Sequence, residues 1–352
     1  MAYTTINKSS DYFNTKLYTG NSSARTISSV GHQPDFTWIK HRDGETAHML
    51  FDSVRGALKR LQTNTGNSEA TASNTLSSWN SDGFAIGTEN DVNGNNRLFT
   101  SWNWKAGTTS GITQGGGTIT PTAYSISQTA GFSCIKYTGN TTDNASVPHG
   151  LGKAPSMIIG KDLSDTSGWG IWHKDLTNAG YKLQFGSAGQ SDDTALFGGS
   201  SRTAPSNDLF YLGSGGGLNG ANANVVYCFT DVQGYSKIGS FVGSSSQQFI
   251  YTGFKPKWFM WKNITQGRGT YDHWNMVDTS RQTPNGATDG YLRANQNSAE
   301  SSFSGNGLFF LSNGIQFNNT GAYLNNSGDT YIFQCYAEAP LVGTNNVPCT
   351  AR

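Results

Sequence analysis

The sequence is poor in charged side chains. Asp, Glu, Lys and Arg make up 13% of its 352 residues, and the formal net charge at pH 7 is +1. No basic or acidic block interrupts this composition, which argues against binding to nucleic acid or to an anionic membrane surface. Alanine, leucine, glutamate and lysine, which favour helices, are scarce, so we expect little helix.

Long apolar runs are also missing. None approaches 18 residues, so we expect no membrane insertion. Residues 1–18 are polar and lack the apolar core of a signal peptide. No Cys-x-x-Cys motif occurs, so the cysteines indicate neither a metal site nor a redox pair. They are Cys134, Cys228, Cys335 and Cys349. We therefore expect a protein made in a reducing cytoplasm, with no cofactor and no metal.

Glycine is abundant, at 44 of 352 residues, and Asn, Ser and Thr are frequent. This composition is typical of short strands joined by polar turns. Aromatic residues at 12% are sufficient to bury a core, so we do not expect disorder.

One seven-residue stretch occurs three times, as Pro34–Lys40, Pro155–Lys161 and Pro256–Lys262. Proline cannot donate to a ladder and therefore favours the start of a strand. The residues that follow are apolar on both alternating faces, with Phe36 and Trp38 on one face and Ile39 on the other. A strand of this kind is covered on both sides. We expect the final lysine to mark the point where the strand returns to water.

The repeat predicts an all-β fold of three tandem antiparallel β-sandwich modules of the jelly-roll or concanavalin-like type. The boundaries follow from the repeat and from a Gly/Thr/Ser-rich stretch: module one at 1–106, a flexible or extended linker at 107–130, module two at 131–233, module three at 234–340 and a tail at 341–352. Modules two and three abut without a linker, so we expect them to pack as one unit.

Residues that occupy the same position in each of the three repeats are more easily explained by structure than by function. Counting from the turn residues Asn93, Asn219 and Asn326 puts three residues at one position: Trp102, Cys228 and Cys335. We therefore expect these cysteines to fill the core. Three acids also fall at roughly one position, Asp52, Asp175 and Asp278. Arg55 and Arg281 follow the first and third of these, which predicts an Asp–Arg pair within a module.

Catalytic motifs are weak or absent. Residues 215–220 fit Gly-x-Gly-x-x-Gly but run into a strand instead of a helix, so we interpret them as a turn. Residues 91–96 resemble a calcium loop without its closing glutamate. The six histidines lack metal spacing and no Gly-x-Ser-x-Gly occurs: His32, His41, His48, His149, His173 and His273. Several acids could form a glycosidase pair, although we favour no catalytic role: Asp162, Asp165, Asp175, Asp192 and Asp193.

Four tryptophans in loop-like settings could stack on sugar rings, because a pyranose face is apolar and an indole is flat. They are Trp79, Trp169, Trp172 and Trp274. The alternative for each is packing in the core.

Longer motifs add a resemblance. They include Leu50–Gly56, Ser101–Gly107, His149–Pro155, Gly234–Ser240 and Tyr251–Pro256. Together with the proline stretch they make nearly the whole chain resemble tandem-repeat virion structural or tail-fibre-like proteins of tailed bacteriophages of marine bacteria. The second repeat departs most, with Gly160 in place of an apolar residue and no Asp-x-x-Arg pair.

The resemblance implies a virion protein on the outside of the particle, with concanavalin-like sandwiches and no catalytic residues. We expect a tail fibre or receptor-binding protein that contacts host-surface glycan as a homotrimer, beside other virion proteins. The alternatives are a capsid decoration or head-fibre protein with a purely structural role and, less favoured, a glycan-degrading enzyme.

Overall fold

The computed structural model describes residues 4–111, 116–244, 246–265, 272–281, 290–303, 307–318 and 324–342. Within these ranges the fold is nearly all β, with antiparallel pairing throughout, a single four-residue helix and one 3-10 turn. The expectation of an all-β fold with little helix is confirmed. No helix among these residues is long and apolar enough to cross a membrane.

The strands fall into three sets. In the first set a four-stranded sheet has the order β1-β9-β3-β4, a three-stranded sheet has the order β2-β8-β7, and β5 pairs with β6. The 3-10 turn Ser9–Asp11 precedes this set. Its elements are β1 (Phe13–Thr19), β2 (Arg25–Ile27), β3 (Phe36–His41), β4 (Met49–Asp52), β5 (Lys59–Arg60), β6 (Ala70–Thr71), β7 (Leu76–Asn80), β8 (Gly83–Ile86), α1 (Asn90–Asn93) and β9 (Leu98–Trp104).

The second set has a five-stranded sheet in the order β10-β11-β18-β13-β14 and the pairs β12-β17 and β15-β16. Its strands are β10 (Ala123–Ser127), β11 (Phe132–Thr138), β12 (Ala145–Pro148), β13 (Met157–Asp162), β14 (Gly170–His173), β15 (Tyr181–Lys182), β16 (Ser191–Asp192), β17 (Leu209–Leu212) and β18 (Ala223–Phe229). Strand β10 lies inside the predicted linker, so this part of the linker is an ordered strand of the second set.

The third set has a six-stranded sheet in the order β19-β27-β21-β22-β23-β24 and a three-stranded sheet in the order β20-β26-β25. Its strands are β19 (Ser236–Val242), β20 (Gln248–Tyr251), β21 (Phe254–Asn263), β22 (Asn275–Asp278), β23 (Gly290–Arg293), β24 (Ser301–Ser302), β25 (Leu308–Leu311), β26 (Gly314–Phe317) and β27 (Thr330–Pro340).

The three large sheets share one register. In each, the strand after the repeated proline pairs with the last strand of the set: Phe36 with Trp104, Met157 with Phe229, and Trp258 with Tyr336. The same two strands are flanked on one side by the strand that follows the proline strand and on the other by β1, β11 or β19. The sets are therefore equivalent in topology, while the division into three modules at the predicted boundaries stays a prediction.

The large sheets face one another across a common interior, which we call the shared core. Aromatic rings from different sets meet there. Phe36 lies 4.4 Å from Tyr227, Phe13 lies 4.7 Å from Tyr336, and Trp104 lies 5.8 Å from Trp258, between ring centroids. Burying a large apolar side chain contributes about 1.5–3 kcal/mol. The shared core therefore ties all three sets together, and not only the second and third.

The repeated proline strand is buried on both faces, as predicted. Phe36 and Trp38 enter the shared core, whereas Ile39 packs between the two sheets of the first set. In the third set Trp258 and Met260 take the first role, and Phe259 and Trp261 take the second. The alternation read from the sequence is confirmed in both sets.

The prediction that the strand returns to water at its lysine is wrong. Lys40, Lys161 and Lys262 are each 0% exposed. Their ammonium groups donate to backbone carbonyls of nearby loops: Lys40 to His41 (2.6 Å), Lys161 to Asp165 (2.7 Å) and Lys262 to Gly186 (3.1 Å). Burial lowers the pKa of Lys40 to about 8 and that of Lys262 to about 7. A buried charge is tolerated where such partners replace water.

The repeat alignment of the cysteines is shifted by one residue. Cys228 pairs with Ile158 and Cys335 with Phe259, and the residue of the first set in that position is Asn103, not Trp102. The turn position is held by Asn93, Asn219 and Asn325, whose side-chain oxygens accept the backbone N–H of Asn21, Asn140 and Ser244. Asn326 is therefore not the equivalent residue. Adjacent strand residues face opposite sides, so the shift moves the side chain to the other face.

The cysteines are nevertheless core residues, as predicted. Cys134, Cys228 and Cys335 are buried and free. Burial raises the pKa of the Cys228 thiol to about 12 and that of Cys335 well above its usual value. Such thiols are poor nucleophiles at neutral pH. Cys349 lies outside the described residues.

A short two-stranded arm of each set reaches the next set. The first arm is β5–β6, the second β15–β16 and the third β23–β24, each with its connecting residues. One backbone hydrogen bond recurs at all three crossings: Glu69 N–H to Leu163 O (2.9 Å), Gln190 N–H to Ile264 O (3.4 Å) and Glu300 N–H to Arg42 O (2.7 Å). The first arm thus contacts the second set, the second contacts the third, and the third contacts the first.

A ring nitrogen completes each crossing. The partners are Trp169 Nε1 with Gln62 O (2.8 Å), Trp274 Nε1 with Gln184 O (2.8 Å) and His48 Nε2 with Arg293 O (3.0 Å). His48 Nδ1 accepts the indole N–H of Trp38 at 2.8 Å, so Nε2 carries the proton and donates. The three strand sets therefore form a closed cycle with approximate threefold equivalence.

Replacing Trp274 with Phe should lower the free energy of unfolding more than replacing Trp172 with Phe. Trp274→Phe leaves the Gln184 carbonyl without its donor, which costs about 1–3 kcal/mol. Trp172 is also buried, but its Nε1 has no hydrogen-bond partner among the described residues, so Trp172→Phe measures the smaller ring alone. Urea unfolding of both variants checks this, and equal losses would contradict the role of the crossing.

Candidate functional site

The most conspicuous polar cluster is a buried triad of the first set. Asp52 accepts the backbone N–H of Arg55 at 2.9 Å and also pairs with its guanidinium. Arg55 Nη1 lies 3.2 Å from Glu69 Oε2 on the first arm. The hydroxyl of Tyr227, from the second set, donates to Asp52 Oδ2 at 2.7 Å. The triad therefore joins three parts of the chain.

The third set repeats this triad. Asp278 Oδ2 is 2.6 Å from Arg281 Nε, and Arg281 Nη1 is 3.6 Å from Glu300 Oε2. Trp102 of the first set donates its indole N–H to Asp278 Oδ2 at 3.0 Å. The predicted Asp–Arg pairs are confirmed in both sets.

The second set lacks all three charges. The strand pairing puts His173, not Asp175, at the position of Asp52 and Asp278. The arginine position is held by Leu176, and the glutamate position by Gln190, whose backbone makes the equivalent crossing bond. The predicted equivalence of Asp175 is therefore wrong. Asp175 is partly exposed and lies 4.0 Å from His173 Nδ1.

These clusters are interior structure. The side chains of Asp52, Arg55, Asp278 and Arg281 are 0% exposed, so a substrate cannot reach them without opening the fold. The other candidate acids hold separate turns or surface ion pairs. Asp162 accepts the backbone N–H of Ser164, while Asp192 pairs with Arg202 and Asp193 with Lys182.

Three of the four candidate tryptophans are in the wrong place to meet a sugar. Trp169, Trp172 and Trp274 are buried in the shared core. A buried indole cannot stack on a ligand that arrives from water, so the expectation that these side chains lie in exposed loops is wrong. Core packing, the alternative, is what the structure shows. Trp79, on β7, is half-buried against the core of the first set and stays a candidate.

The two weak ligand motifs are turns. Residues 215–220 lie in a turn before β18, as predicted, and residues 91–96 comprise the end of α1 and the turn before β9. Asn93, within the second motif, is buried and donates to the backbone carbonyls of Ser23 and Gly87. No group of three or more His, Cys, Asp or Glu side chains that could hold a metal occurs in the part of the chain that the structure describes.

Two surface pockets in the described part of the chain have polar wall groups that are engaged within the protein. One of about 440 Å³ contains Asp35, whose carboxylate already accepts from the Ser53 hydroxyl, the Ser125 hydroxyl and the Ala106 N–H. A second, of about 400 Å³, lies between the second arm and the third set. Its Gln190 side chain accepts the Thr177 N–H.

The third pocket, of about 350 Å³, lies where three loops of the first set meet, after β1, β3 and α1. We call it the His41 pocket, and its lining is polar: Ser22, His41, Thr46, Asn90, Gly94, Asn95 and Arg97. Three buried polar atoms of the lining, His41 Nδ1, His41 Nε2 and Thr46 Oγ1, have no hydrogen-bond partner among the described residues. An unpaired buried polar atom costs about 1–3 kcal/mol.

His41 is held in one orientation. Its ring stacks on Phe99, 5.1 Å between centroids, and Nε2 lies 2.7 Å from Asp43 Oδ1. Burial lowers the pKa of His41, assisted by the charges of Lys40 and Arg97, so the imidazole is neutral at pH 7. A neutral imidazole has one ring nitrogen that donates and one that accepts.

The pocket also supplies donors. Arg97 is exposed and makes no ion pair among the described residues, and Asn90 and Asn95 contribute amides. An unpaired guanidinium together with several amides and hydroxyls forms a set that binds hydroxyls and carboxylates at once. This matches the polar chemistry of an acidic sugar.

Sequence reasoning missed this pocket, although a signal existed. His41 follows the repeated lysine, and the same position holds Asp162 and Asn263 in the other sets. Those two side chains are occupied. Asp162 accepts from Ser164 N–H and Asn222, and Asn263 bonds Thr265 N–H and Asp329. The histidine breaks the pattern of a turn-capping residue, which leaves the first set with an unfilled pocket.

The fold defines the class: an all-β protein of antiparallel sheets packed around the shared core, with a polar surface pocket in the first set. Residues 8–340 match the family described as "Domain of unknown function (DUF7483)", and the chain belongs to this family. A search of curated proteins and a search of solved structures each found no match.

Stability should fall as the pH drops below about 6.5. Burial lowers the pKa of His149 to about 4 and that of His173 to about 3, whereas an unfolded histidine titrates near 6.5. The folded state favours the neutral ring. Each histidine's contribution to the free energy of unfolding is therefore complete above pH 6.5 and is lost as the pH falls towards the folded pKa. At pH 5 each should cost about 2 kcal/mol.

Urea unfolding at pH 7, 6 and 5 measures this effect. A His149→Gln variant, which removes one titrating group, should show a shallower loss between pH 7 and 5, whatever its stability at pH 7. An unfolding free energy that does not change from pH 7 to pH 5 would contradict the assignment.

Proposed function

We propose that this chain is a bacteriophage virion protein on the outside of the particle, and that it attaches to host-surface glycan. The His41 pocket carries the proposal, because the exposed guanidinium of Arg97 lies there beside amide and hydroxyl groups. The motifs shared with tail-fibre-like proteins support a tail fibre or receptor-binding protein. The near-neutral composition supports a partner other than nucleic acid or a membrane.

The proposed role is binding and not catalysis. Retaining and inverting glycosidases need two carboxyl groups that face one bond. The candidate acids of this chain are instead engaged singly, as with Asp193 and Lys182 at 2.6 Å or Asp192 and Arg202 at 2.7 Å. This arrangement supports a lectin-like role.

A structural role on the capsid or as a head fibre is the second candidate. The exposed apolar side chains Val242, Phe249 and Tyr251 favour it, since they resemble a contact with another protein. The two candidates differ in what the His41 pocket does.

Binding to host-surface polysaccharide should depend on Arg97. Arg97→Ala removes the unpaired guanidinium, and losing a hydrogen bond to a charged group costs about 1.5–3 kcal/mol, which is about 10–100-fold in Kd. Arg202→Ala is the matched control, because Arg202 is also exposed but lies in the second set. A glycan array followed by calorimetry on the best acidic glycan measures both.

The control should bind like the wild type. Trp79 is the remaining candidate for stacking on a sugar ring. If the His41 pocket is the binding site, Trp79→Ala should leave the affinity for the glycan unchanged. If the wild type binds no host glycan, or if Arg97→Ala binds as tightly as the wild type, the attachment role at this pocket is wrong.

A further inference from the structure

One stretch of the chain closes the side of the second set. Residues 116–127, which we call the closing segment, run past both sheets of that set. Thr118 and Ile119 donate backbone N–H groups to Ser146 on β12, at 3.1 and 3.0 Å. The segment then forms β10, which pairs antiparallel with β11 from Ala123–Lys136 to Ser127–Phe132.

The closing segment removes two sheet edges from water. Strand β12 is buried along its whole length, and Ile119 and Ile126 enter the shared core. Exposed edge strands present unpaired N–H and C=O groups and invite further pairing. The second set is therefore complete on this side.

The third set lacks such a segment. Strands β19 and β20 are the equivalents of β11 and β12, but only a short turn precedes β19. That turn protects one end of the strand, where Val232 bridges Ser236 and Asp231 Oδ1 accepts the N–H of Ile238 at 2.6 Å. No strand covers β19 beyond Ile238 among the described residues.

Exposed apolar side chains concentrate at this place, which we call the open edge. Val242 is 58% exposed, Phe249 46% and Tyr251 49%. They are three of the four large apolar side chains that are exposed in the described part of the chain, the fourth being Leu98 at 41%. Lys237, the nearby charge, is engaged: its Nζ donates to Tyr251 O at 2.6 Å. The open edge is therefore apolar and almost neutral.

Residues 341–352 have the properties of a second closing segment. They come directly after β27, whereas residues 105–115 separate the closing segment from β9, and the two final strands hold equivalent positions. Both stretches are uncharged except for Arg352, and both combine threonines and β-branched apolar residues with one proline.

The closing segment covers a different set from the one whose last strand precedes it. By the same logic, residues 341–352 would cover a set other than the third set of their own chain. The first set has little apolar surface to cover, because β1 and β2 carry no exposed large apolar side chain. The apolar surface that needs cover is the open edge, and every other copy of the chain has an open edge.

We propose that residues 343–352 of one copy bind as an extended strand along β19 and over β20 of a second copy. Main-chain hydrogen bonds would supply affinity, and Phe249 and Tyr251 would be covered, as in other strand additions. Donation of this kind is head-to-tail, and it gives a closed ring where the rotation between successive copies closes.

Sedimentation velocity on three proteins tests the proposal: the full chain, a variant without residues 343–352, and Phe249→Glu. The full chain assembles, and each variant alone is a monomer. The deletion variant keeps an open edge and Phe249→Glu keeps a donor segment, so an equimolar mixture forms a 1:1 dimer. Leu98→Glu is the matched control, since it charges the exposed apolar residue elsewhere, and it assembles like the full chain.

A fluorescent peptide of residues 341–352 gives an independent readout. It binds the deletion variant, and binding weakens at least tenfold when Phe249→Glu is added. A deletion variant that still assembles overturns the proposal, because the edges then pair directly. A monomeric full chain also overturns it, as does a mixture that stays monomeric. Arg97→Ala leaves assembly unchanged, so failure here is distinguishable from failure of glycan binding.

Discussion

The structure depends on the crossing of each arm to the neighbouring strand set. Every large sheet has an apolar inner face that needs cover, and the three faces cover one another in the shared core. Their rims still carry polar backbone groups. At each rim an arm supplies the missing partners through one backbone bond and one ring nitrogen, as at Trp169 and Gln62. Because the crossings form a cycle, weakening one exposes the rims of two sets.

The buried charges follow from this geometry. Asp52 and Arg55 lie at a crossing. There Glu69 of the first arm pairs with the Arg55 guanidinium, and the Tyr227 hydroxyl of the second set donates to the Asp52 carboxylate. Removing one member of such a group would leave the other charges buried without a partner, which lowers the free energy of unfolding by several kcal/mol. The second set lacks the whole triad, with Leu176 in the arginine position. Absence of the three charges together agrees with this cost, because no single charge is left unpaired.

Alternation and turn chemistry were sufficient to predict the strands and the two-faced burial of Phe36, Trp38 and Ile39. Long-range pairing was not predictable. The cysteine alignment failed because the turn before the final strand differs in length by one residue, which no single sequence reveals. The buried lysines, and the tryptophans mistaken for surface residues, depend on contacts between sets. The His41 pocket depends on an unpaired nitrogen, a property that only the fold determines.

The central claim is that the three strand sets unfold as one cooperative structure and not as three independent modules. Native-state hydrogen exchange of the full chain in rising denaturant tests it most directly. The account predicts that the central strands β9, β18 and β27 exchange through one common opening, with the same free energy and the same denaturant dependence. Three separate openings, one for each strand set, would contradict the closed cycle.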